Sequence, residues 1–233
     1  LARQLVDLLP FKLTKAQIKV IKQIADDMKS NTPMNRLLQG DVGSGKTIVA
    51  LIAMLIAIDN GYQAAFMAPT EILAEQHYKT LAAFLSNLSV NDRLLVGNQR
   101  TKLRDDILED IRRGSAQIVV GTHALIQEQV AFAKLGFVVI DEQHRFGVEQ
   151  RAALRAKGNN QTPQPDVLVM TATPIPRTLS MTLYGDLDVS IIDEMPTNRQ
   201  SIKTILKIES QRSSVYQFIK EQVKQGRQVY IVY

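Results

Sequence analysis

The feature that most limits how this chain can fold is the stretch Gly-Asp-Val-Gly-Ser-Gly-Lys-Thr at residues 40–47. It follows the short apolar segment 37–39 and precedes eleven consecutive apolar residues at 48–58. A glycine-rich loop between a strand and a helix exposes backbone N–H groups at the positive end of that helix, where phosphate binds well. The spacing therefore predicts a phosphate-binding loop (P-loop). The alternative is a glycine-rich turn that only caps a buried helix.

Each residue type in this loop suits a nucleoside triphosphate bound with a metal ion. The glycines let backbone N–H groups surround the β-phosphate, Lys46 reaches the β- and γ-phosphates, and the Thr47 hydroxyl binds Mg²⁺. We therefore expect ATP and Mg²⁺ as cofactors. The expected nucleotide-binding residues are Gly40, Asp41, Val42, Gly43, Ser44, Gly45, Lys46 and Thr47. Lys46 is also expected to be catalytic.

The rest of the chain alternates short runs rich in Val, Ile and Leu with amphipathic stretches. Strands that are apolar on both faces and separated by helices indicate a parallel sheet covered on both sides. We predict a doubly wound, mostly parallel α/β fold whose ligands bind at the carboxyl ends of the strands. The expected strands are 36–39, 64–68, 94–96, 117–120, 136–140 and 167–170. The expected helices are 2–9, one that starts near Thr14, 47–59, 71–85, 101–113, 148–156, 176–184 and 212–225.

A polar, proline-containing segment at 193–199 predicts a division of the chain. After it come a β-like segment at 202–208, a helix and an apolar run at 229–233, which we interpret as the start of a second α/β unit. The lack of an initial Met and the end inside an apolar run lead us to expect a fragment. The expected divisions are 1–10 (a linker helix or the end of a preceding domain), 11–193 (first domain), 194–204 (linker) and 205–233 (truncated second domain).

Composition excludes some classes of protein. The sequence has no cysteine, which rules out disulfides and thiolate metal sites and fits a reducing cytoplasm. Its longest apolar run has eleven residues, too short to cross a bilayer, so we expect no membrane partner. The net charge of +5 mildly favours a polyanionic partner, although many proteins that never bind nucleic acid are as basic.

A second motif, Phe-Val-Val-Ile-Asp-Glu-Gln-His at 137–144, brings two carboxylates to the end of an apolar strand. Asp141 would hold Mg²⁺, and Glu142 would act as the general base that orients the attacking water. An apolar strand that simply meets solvent at Asp-Glu is the alternative, and the P-loop in the same chain makes it the weaker one. His144 follows directly and is a candidate for coupling this motif to the segment near Thr171.

Three further loops follow predicted strands. Thr171 and Thr173 flank an alanine and could bridge the acidic motif to another part of a motor, or they could form an ordinary Thr/Pro turn before a helix.

The other two loops place hydroxyl and N–H groups at the N-termini of predicted helices. Such groups suit phosphodiester contacts but equally suit helix caps, and the residues alone leave both possibilities open. The candidates for nucleic-acid contact are Pro69, Thr70, Gly121 and Thr122.

Together these segments resemble the superfamily 2 helicases and, within them, the bacterial RecG family of branched-DNA helicases. The matching motifs lie at 39–47, 68–77, 120–125, 141–151 and 170–179, and the resemblance covers nearly the whole chain. The transcription–repair coupling translocases share two of these motifs, but their acidic motif resembles the sequence Asp-Glu-Glu-His. Here residue 143 is Gln, which favours the RecG family.

The resemblance implies two RecA-like lobes with ATP between them, of which this chain would carry the first. It implies that Phe11 and Gln17 cover and read the adenine, and that branched or forked DNA is the partner in recombination and repair. Separately, we expect the protein to be monomeric. It also implies that the second lobe supplies an arginine to the γ-phosphate, which can be worth about 10³–10⁵ in rate. We therefore expect this chain to bind MgATP weakly and to hydrolyse it barely.

Other classes of protein fit less well. A passive nucleotide-binding module shares the loop and differs only in lacking turnover. A small-molecule kinase would need an arginine-rich lid, and a transporter ATPase a Leu-Ser-Gly-Gly-Gln signature; the sequence contains neither.

Overall fold

The computed structural model describes residues 1–141, 164–173, 187–194 and 203–232. The chain divides into two compact units, Leu1–Thr197 and Asn198–Tyr233. The described part of the second unit contains a short 3-10 helix, Glu209–Gln211, and one α-helix.

The first unit is built on a parallel sheet of seven strands within the described residues, in the order β3-β4-β2-β5-β6-β1-β7. Every neighbouring pair is parallel. The strands are β1 Asn35–Gly40, β2 Gln63–Met67, β3 Asp92–Leu95, β4 Ile118–Gly121, β5 Leu135–Ile140, β6 Asp166–Thr171 and β7 Asp188–Ile192. The predicted doubly wound α/β fold is confirmed.

Helices connect most of these strands, as parallel pairing requires a crossover between them. They are α1 Ala2–Leu8, α2 Lys15–Asp27, α3 Lys46–Asp59, α4 Glu71–Leu85, α5 Thr101–Arg113 and, in the second unit, α6 Arg212–Lys224. A 3-10 helix, His123–Ile126, follows β4. None of the helices in the described ranges is long and apolar enough to cross a membrane.

Successive residues of a strand point to opposite faces of the sheet. Both faces are buried because helices pack against each of them. On one face Leu38 and Phe66 pack with α1, α2, α3 and α4. On the other face Leu37 and Val138 pack with α5 and the 3-10 helix. The central strands are therefore apolar throughout, and polar side chains are found mainly where the strands end.

Two sets of sequence expectations were wrong. The strand β7 was not predicted, although it pairs with β1 along its whole length. The β-like segment expected at 202–208 is not a strand over residues 203–208, and no strand forms over residues 229–232 of the expected final strand. A short apolar run becomes a strand only when another strand is there to pair with it, and residues 203–232 have no paired strand. The helices expected at 148–156 and 176–184 lie outside the described residues.

Local signals explain why α2 and α4 begin where they do. The Thr14 hydroxyl accepts a hydrogen bond from the Gln17 backbone N–H, and the Gln17 side chain accepts one from Thr14 N–H, which is a capping box. Thr70 caps α4 by accepting from Leu73 N–H. Such caps satisfy N–H groups that a helix otherwise leaves unpaired at its first turn.

Candidate nucleotide site and the adjoining rim

The P-loop connects β1, which lies next to the edge strand β7, to the buried helix α3. β1 ends at Gly40 and α3 begins at Lys46, with Gly45 as its N-cap at φ 87°. The Lys46 ammonium folds back over the loop and donates to the carbonyl oxygens of Gly40 at 2.6 Å and Asp41 at 3.0 Å. These carbonyls hold the cation at the mouth of the loop, where a phosphate would compete for it.

The shape of the loop fits a phosphate group. A Cβ atom on Gly40 would come within 2.7 Å of Ser44 Oγ, so a larger residue there would push into the loop. Gly43 and Gly45 both adopt positive φ angles, which residues other than glycine rarely do. Ser44 is fully buried, and among the described residues its hydroxyl has no hydrogen-bond partner. Buried hydroxyls normally have a partner, which an incoming ligand oxygen could supply.

Gln17 holds the loop from α2. Its side-chain Nε2 donates to the Ser44 carbonyl at 2.8 Å, while its Oε1 accepts from Thr14 N–H at 2.9 Å. The residue is 2% exposed, and a Cβ on Gly45 would lie 2.3 Å from its amide nitrogen. Sequence reasoning assigned Gln17 to adenine and missed this contact with the loop. Phe11, the other residue expected at the adenine, is 46% exposed.

Asp141 of the acidic motif and the threonines Thr171 and Thr173 lie on the same edge of the sheet as the P-loop. β6 lies between β1 and β5, so Thr171 at its end is placed between the loop and Asp141, which follows β5. Thr171 is buried, and its Oγ1 is 2.9 Å from Thr173 Oγ1. Parallel strands are spaced about 4.8 Å apart, so Asp141 is about 10 Å across the sheet from the loop. Glu142 and His144 lie outside the described residues.

Asp141 has a partner that the sequence did not reveal. His77, in the second turn of α4, places its ring Nε2 2.7 Å from Asp141 Oδ2. The signal was present in the helix pattern. His77 shares one face of α4 with the buried residues Ala74, Leu81 and Leu85, and a titratable residue on a core-facing stripe needs a polar partner.

The described residues hold no group of three or more His, Cys, Asp or Glu side chains suited to a metal ion. Mg²⁺ commonly takes only one or two carboxylates from the protein and fills its shell with phosphate oxygens and water. Asp141 with the Thr47 hydroxyl is the type of sparse ligand set that this mode of binding requires.

The loops that follow β2 and β4 lie side by side on this edge, because these strands are neighbours in the sheet. Thr70 is partly exposed and caps α4. Gly121 and Thr122 are buried, and Thr122 caps the 3-10 helix. A Cβ on Gly121 would come within 2.4 Å of the Leu95 carbonyl, so packing alone explains this glycine. Of the four expected nucleic-acid residues, Pro69 and Thr70 are therefore the more accessible.

A third loop, residues 96–100 after β3, joins the same edge and was not singled out from the sequence. Its Gly97 N–H donates to Glu71 Oε1 at 2.8 Å, which ties it to the first turn of α4. Arg100, the last residue of this loop, and Lys102, in the first turn of α5, are both exposed. We call the carboxyl edge formed by residues 68–70, 96–102 and 121–122 the rim.

The order of the strands and the P-loop at residues 40–47 define a RecA-like P-loop nucleotide-binding domain. The profile of the DEAD/DEAH box helicase family matches residues 14–182, which is most of the chain. The chain therefore belongs to the DEAD/DEAH box helicases.

Several similar proteins carry the name ATP-dependent DNA helicase RecG. The one from Synechocystis sp. is 56% identical over 227 residues, covering 97% of this chain and 27% of the relative. The one from Aquifex aeolicus is 51% identical over 231 residues, covering 99% of this chain and 29% of the relative. The chain thus spans less than a third of the length of these two relatives.

Solved structures show the same likeness. A structure of RecG bound to a three-way DNA junction matches all of this chain and 31% of its own, at 45% identity and a TM-score of 0.88. The helicase MrfA bound to DNA matches 96% of this chain and 34% of its own at 18% identity, with a TM-score of 0.68. The second comparison shows the fold alone.

Proposed function

We propose that this chain is the ATP-binding motor domain of a DNA helicase that acts on branched DNA, such as replication forks and Holliday junctions, in recombination and repair. One observation carries most of the proposal: the whole chain matches, at 45% identity, the structure of RecG on a three-way junction. The P-loop, Asp141 and the rim on one edge of the sheet are the local features that such a motor needs.

In this proposal the nucleotide is MgATP, and the loop residues Gly40–Thr47 bind its phosphates. Lys46 leaves the carbonyls of Gly40 and Asp41 and pairs with the β- and γ-phosphates, which exchanges two neutral acceptors for charged ones. Thr47 and Asp141 hold the metal ion, whose charge offsets that of the phosphates when it is bound. Glu142 orients and deprotonates the attacking water.

Phe11 and Gln17 are proposed to contact the adenine. The Gln17 amide already donates one hydrogen to the Ser44 carbonyl and accepts one hydrogen bond from Thr14 N–H. An amide has two of each, so a second hydrogen and a second lone pair are left, enough for the two-point pattern that adenine presents. Gln17 would then join the base to the phosphate loop through a single side chain.

The rim is the proposed DNA surface. Thr70, the N-cap of α4, offers its N–H and hydroxyl groups to phosphodiesters beside Pro69, and Gly121 and Thr122 position the neighbouring loop. Arg100 and Lys102 add positive charge beside them. His144, Thr171 and Thr173 are proposed to couple the DNA and nucleotide sites. Contacts of this kind hold the DNA backbone without reading its sequence, as expected of a motor that moves along DNA.

The 233-residue chain by itself is proposed to bind MgATP weakly and to turn it over barely, because the charge at the γ-phosphate would lack its stabilising arginine. We propose that the protein is monomeric. We also propose a cytoplasmic location, because a chain without cysteine fits a reducing compartment. A translocase of the transcription–repair coupling type and a passive nucleotide-binding module are the other candidates. Gln143 favours the helicase over the former.

The test is unwinding of a fork by a protein of full family length. We expect DNA-stimulated ATP hydrolysis and strand separation in the wild type and neither in Lys46→Ala. Glu142→Gln is expected to keep nucleotide binding but to lose turnover. ATP-driven movement on duplex DNA without strand separation would support the translocase, and nucleotide binding without any turnover would support the passive module.

A further inference from the structure

The contact between His77 and Asp141 is short, largely buried and held from both sides. The ring Nε2 lies 2.7 Å from Asp141 Oδ2, and the two side chains are 16% and 13% exposed. The fully buried Phe66 packs its ring 4.6 Å from the His77 ring, measured between centroids. A hydrogen bond shielded from water in this way is stronger than the same bond at the surface.

The contact restrains the Asp141 carboxylate in a definite orientation. An ionised carboxylate only accepts hydrogen bonds, so Nε2 must carry the hydrogen and donate it. The backbone N–H of Asp141 donates to the Met67 carbonyl at 2.9 Å, which fixes the main chain at the same point. With Oδ2 held by His77 and the main chain held by Met67, rotation of the carboxylate is limited. Within the described ranges no hydrogen bond engages Oδ1, which can accept another ligand.

We infer that His77 is a positioning residue that holds the Asp141 carboxylate ready for its metal ion. The inference rests on the proposed function, in which Asp141 binds Mg²⁺. Removing a group that hydrogen-bonds to a metal-binding side chain typically lowers metal affinity by about 10- to 100-fold. His77 is held on α4, so it acts through Asp141 and needs no contact with the nucleotide.

Two amide substitutions separate this role from a purely structural one. Gln at position 77 can place its side-chain nitrogen near the position of the histidine Nε2, whereas the Asn side chain is one methylene shorter and falls short of Asp141. The two variants differ only in reach, so their effects on packing against Phe66 should be similar. His123→Asn, at an exposed histidine on the 3-10 helix, controls for the loss of an imidazole.

The measurement is the Mg²⁺ concentration that half-saturates binding of a fluorescent ATP analogue to this chain, together with the analogue's affinity in EDTA. We expect His77→Asn to raise the half-saturating Mg²⁺ concentration about tenfold. His77→Gln and His123→Asn should stay within about threefold of the wild type. All variants should bind the analogue in EDTA with nearly wild-type affinity, and thermal melting checks that each is folded.

The inference is overturned if His77→Asn and His77→Gln shift the Mg²⁺ requirement equally, or if neither shifts it. It is also overturned if His77→Asn weakens binding as much in EDTA as in Mg²⁺, since this would indicate general damage to the site. Asp141→Asn distinguishes a failure of the underlying proposal. If that variant keeps the wild-type Mg²⁺ dependence, or if the wild type has none, the proposed nucleotide site itself is wrong.

Discussion

At the scale of single residues, one amide joins two parts of the nucleotide site. Gln17 accepts from Thr14 N–H and donates to the Ser44 carbonyl, so the start of α2 and the P-loop share one side chain. The residue is almost fully buried, and its two contacts are made by different atoms. Substitutions can therefore separate its part in capping the helix from its part in shaping the loop.

We predict different outcomes for Gln17→Glu and Thr14→Ala. Thr14→Ala removes one helix cap and should lower the free energy of unfolding by about 1 kcal/mol, leaving ATP affinity within about twofold. Gln17→Glu keeps the acceptor for Thr14 N–H but faces a carboxylate toward the Ser44 carbonyl. Gln17→Glu should lower the free energy of unfolding by about 2 kcal/mol and weaken ATP binding several-fold. Urea denaturation and nucleotide titration measure the two effects, and equal ATP affinities in the two variants would contradict the assignment.

Asp166 provides a prediction about pH. Burial raises the pKa of Asp166 above its ordinary value of 3.8, and nearby Asp27 adds to the rise, while a hydrogen bond from Met34 N–H opposes it. Between the ordinary and the raised pKa the folded chain binds more protons than the unfolded chain. The free energy of unfolding must therefore fall as pH rises through this window, because the buried carboxyl then ionises at a cost.

Asp166→Asn tests this directly, since the amide oxygen can still accept the 2.6 Å hydrogen bond from Met34 N–H. We expect the wild type to lose stability relative to Asp166→Asn as pH is raised from just below the ordinary aspartate pKa. The difference should become constant above the raised pKa. Denaturant titrations over this range provide the measurement, and a difference that is flat or reversed would contradict the expected direction.

At the scale of elements, a buried polar cluster fastens β7 to the body of the domain. The Arg36 guanidinium in β1 donates to Asp27 at 2.7 Å and to Ser190 in β7 at 2.9 Å. The Ser190 hydroxyl in turn donates to Gln23 in α2 at 2.7 Å. Asp188, 3.8 Å from the same guanidinium, is 75% exposed, so its charge is largely screened by solvent.

Arg36→Leu should destabilise the chain by about 2 to 3 kcal/mol, since Asp27 and Ser190 lose a partner in a mostly buried site. Asp188→Asn removes the exposed partner of the same arginine and should change stability by less than about 0.5 kcal/mol. Chemical denaturation of both variants gives the comparison. Comparable losses would mean that the exposed ion pair matters as much as the buried cluster.

The same strand shows where sequence reasoning stopped at the level of elements. The apolar runs of the central strands were predicted because burial on both faces makes them continuous and easy to recognise. β7 is an edge strand of mixed character, Asp-Val-Ser-Ile-Ile, whose polar residues are explained by Arg36 and not by any local pattern. Conversely, residues 229–232, Val-Tyr-Ile-Val, combine β-branched and aromatic residues typical of strands but form no strand.

The candidate site divides in a similar way. The P-loop and the position of Asp141 at the end of β5 could be predicted, because each is encoded in a short continuous motif. The contacts of Gln17 with Ser44 and of His77 with Asp141 join residues 27 and 64 positions apart. Contacts of that kind depend on how α2 and α4 pack against the sheet, which no local pattern specifies.

At the scale of the whole molecule, the proposal places positive charge where DNA would lie. Arg100 and Lys102 are exposed at the rim end of α5, while Arg112 and Arg113 are exposed at its other end and pair with Glu109. A helix rises about 1.5 Å per residue, so the two pairs are about 15 Å or more apart along α5. The chain therefore offers two pairs of equal charge at different distances from the rim.

Replacing Arg100 and Lys102 by Ala should weaken binding of a three-way junction and lower the salt dependence of binding. The slope of log affinity against log salt should decrease by about 2, since each phosphate contact contributes close to one. The double variant Arg112→Ala, Arg113→Ala loses the same charge and should change the slope by less than half as much. Fluorescence anisotropy at several salt concentrations measures both, and equal changes in slope would place the DNA elsewhere.

The central claim is that residues 40–47 bind MgATP, and the affinity of this chain for MgATP with and without Lys46 tests it most directly. Calorimetric titration should give saturable one-to-one binding to the wild type. Lys46→Ala should weaken binding tenfold or more, because a charged hydrogen bond to phosphate is worth about 1.5–3 kcal/mol. Lys29→Ala, at an exposed lysine that pairs with Asp26, should bind like the wild type. Absence of saturable binding, or an affinity of Lys46→Ala within twofold of the wild type, would contradict the account.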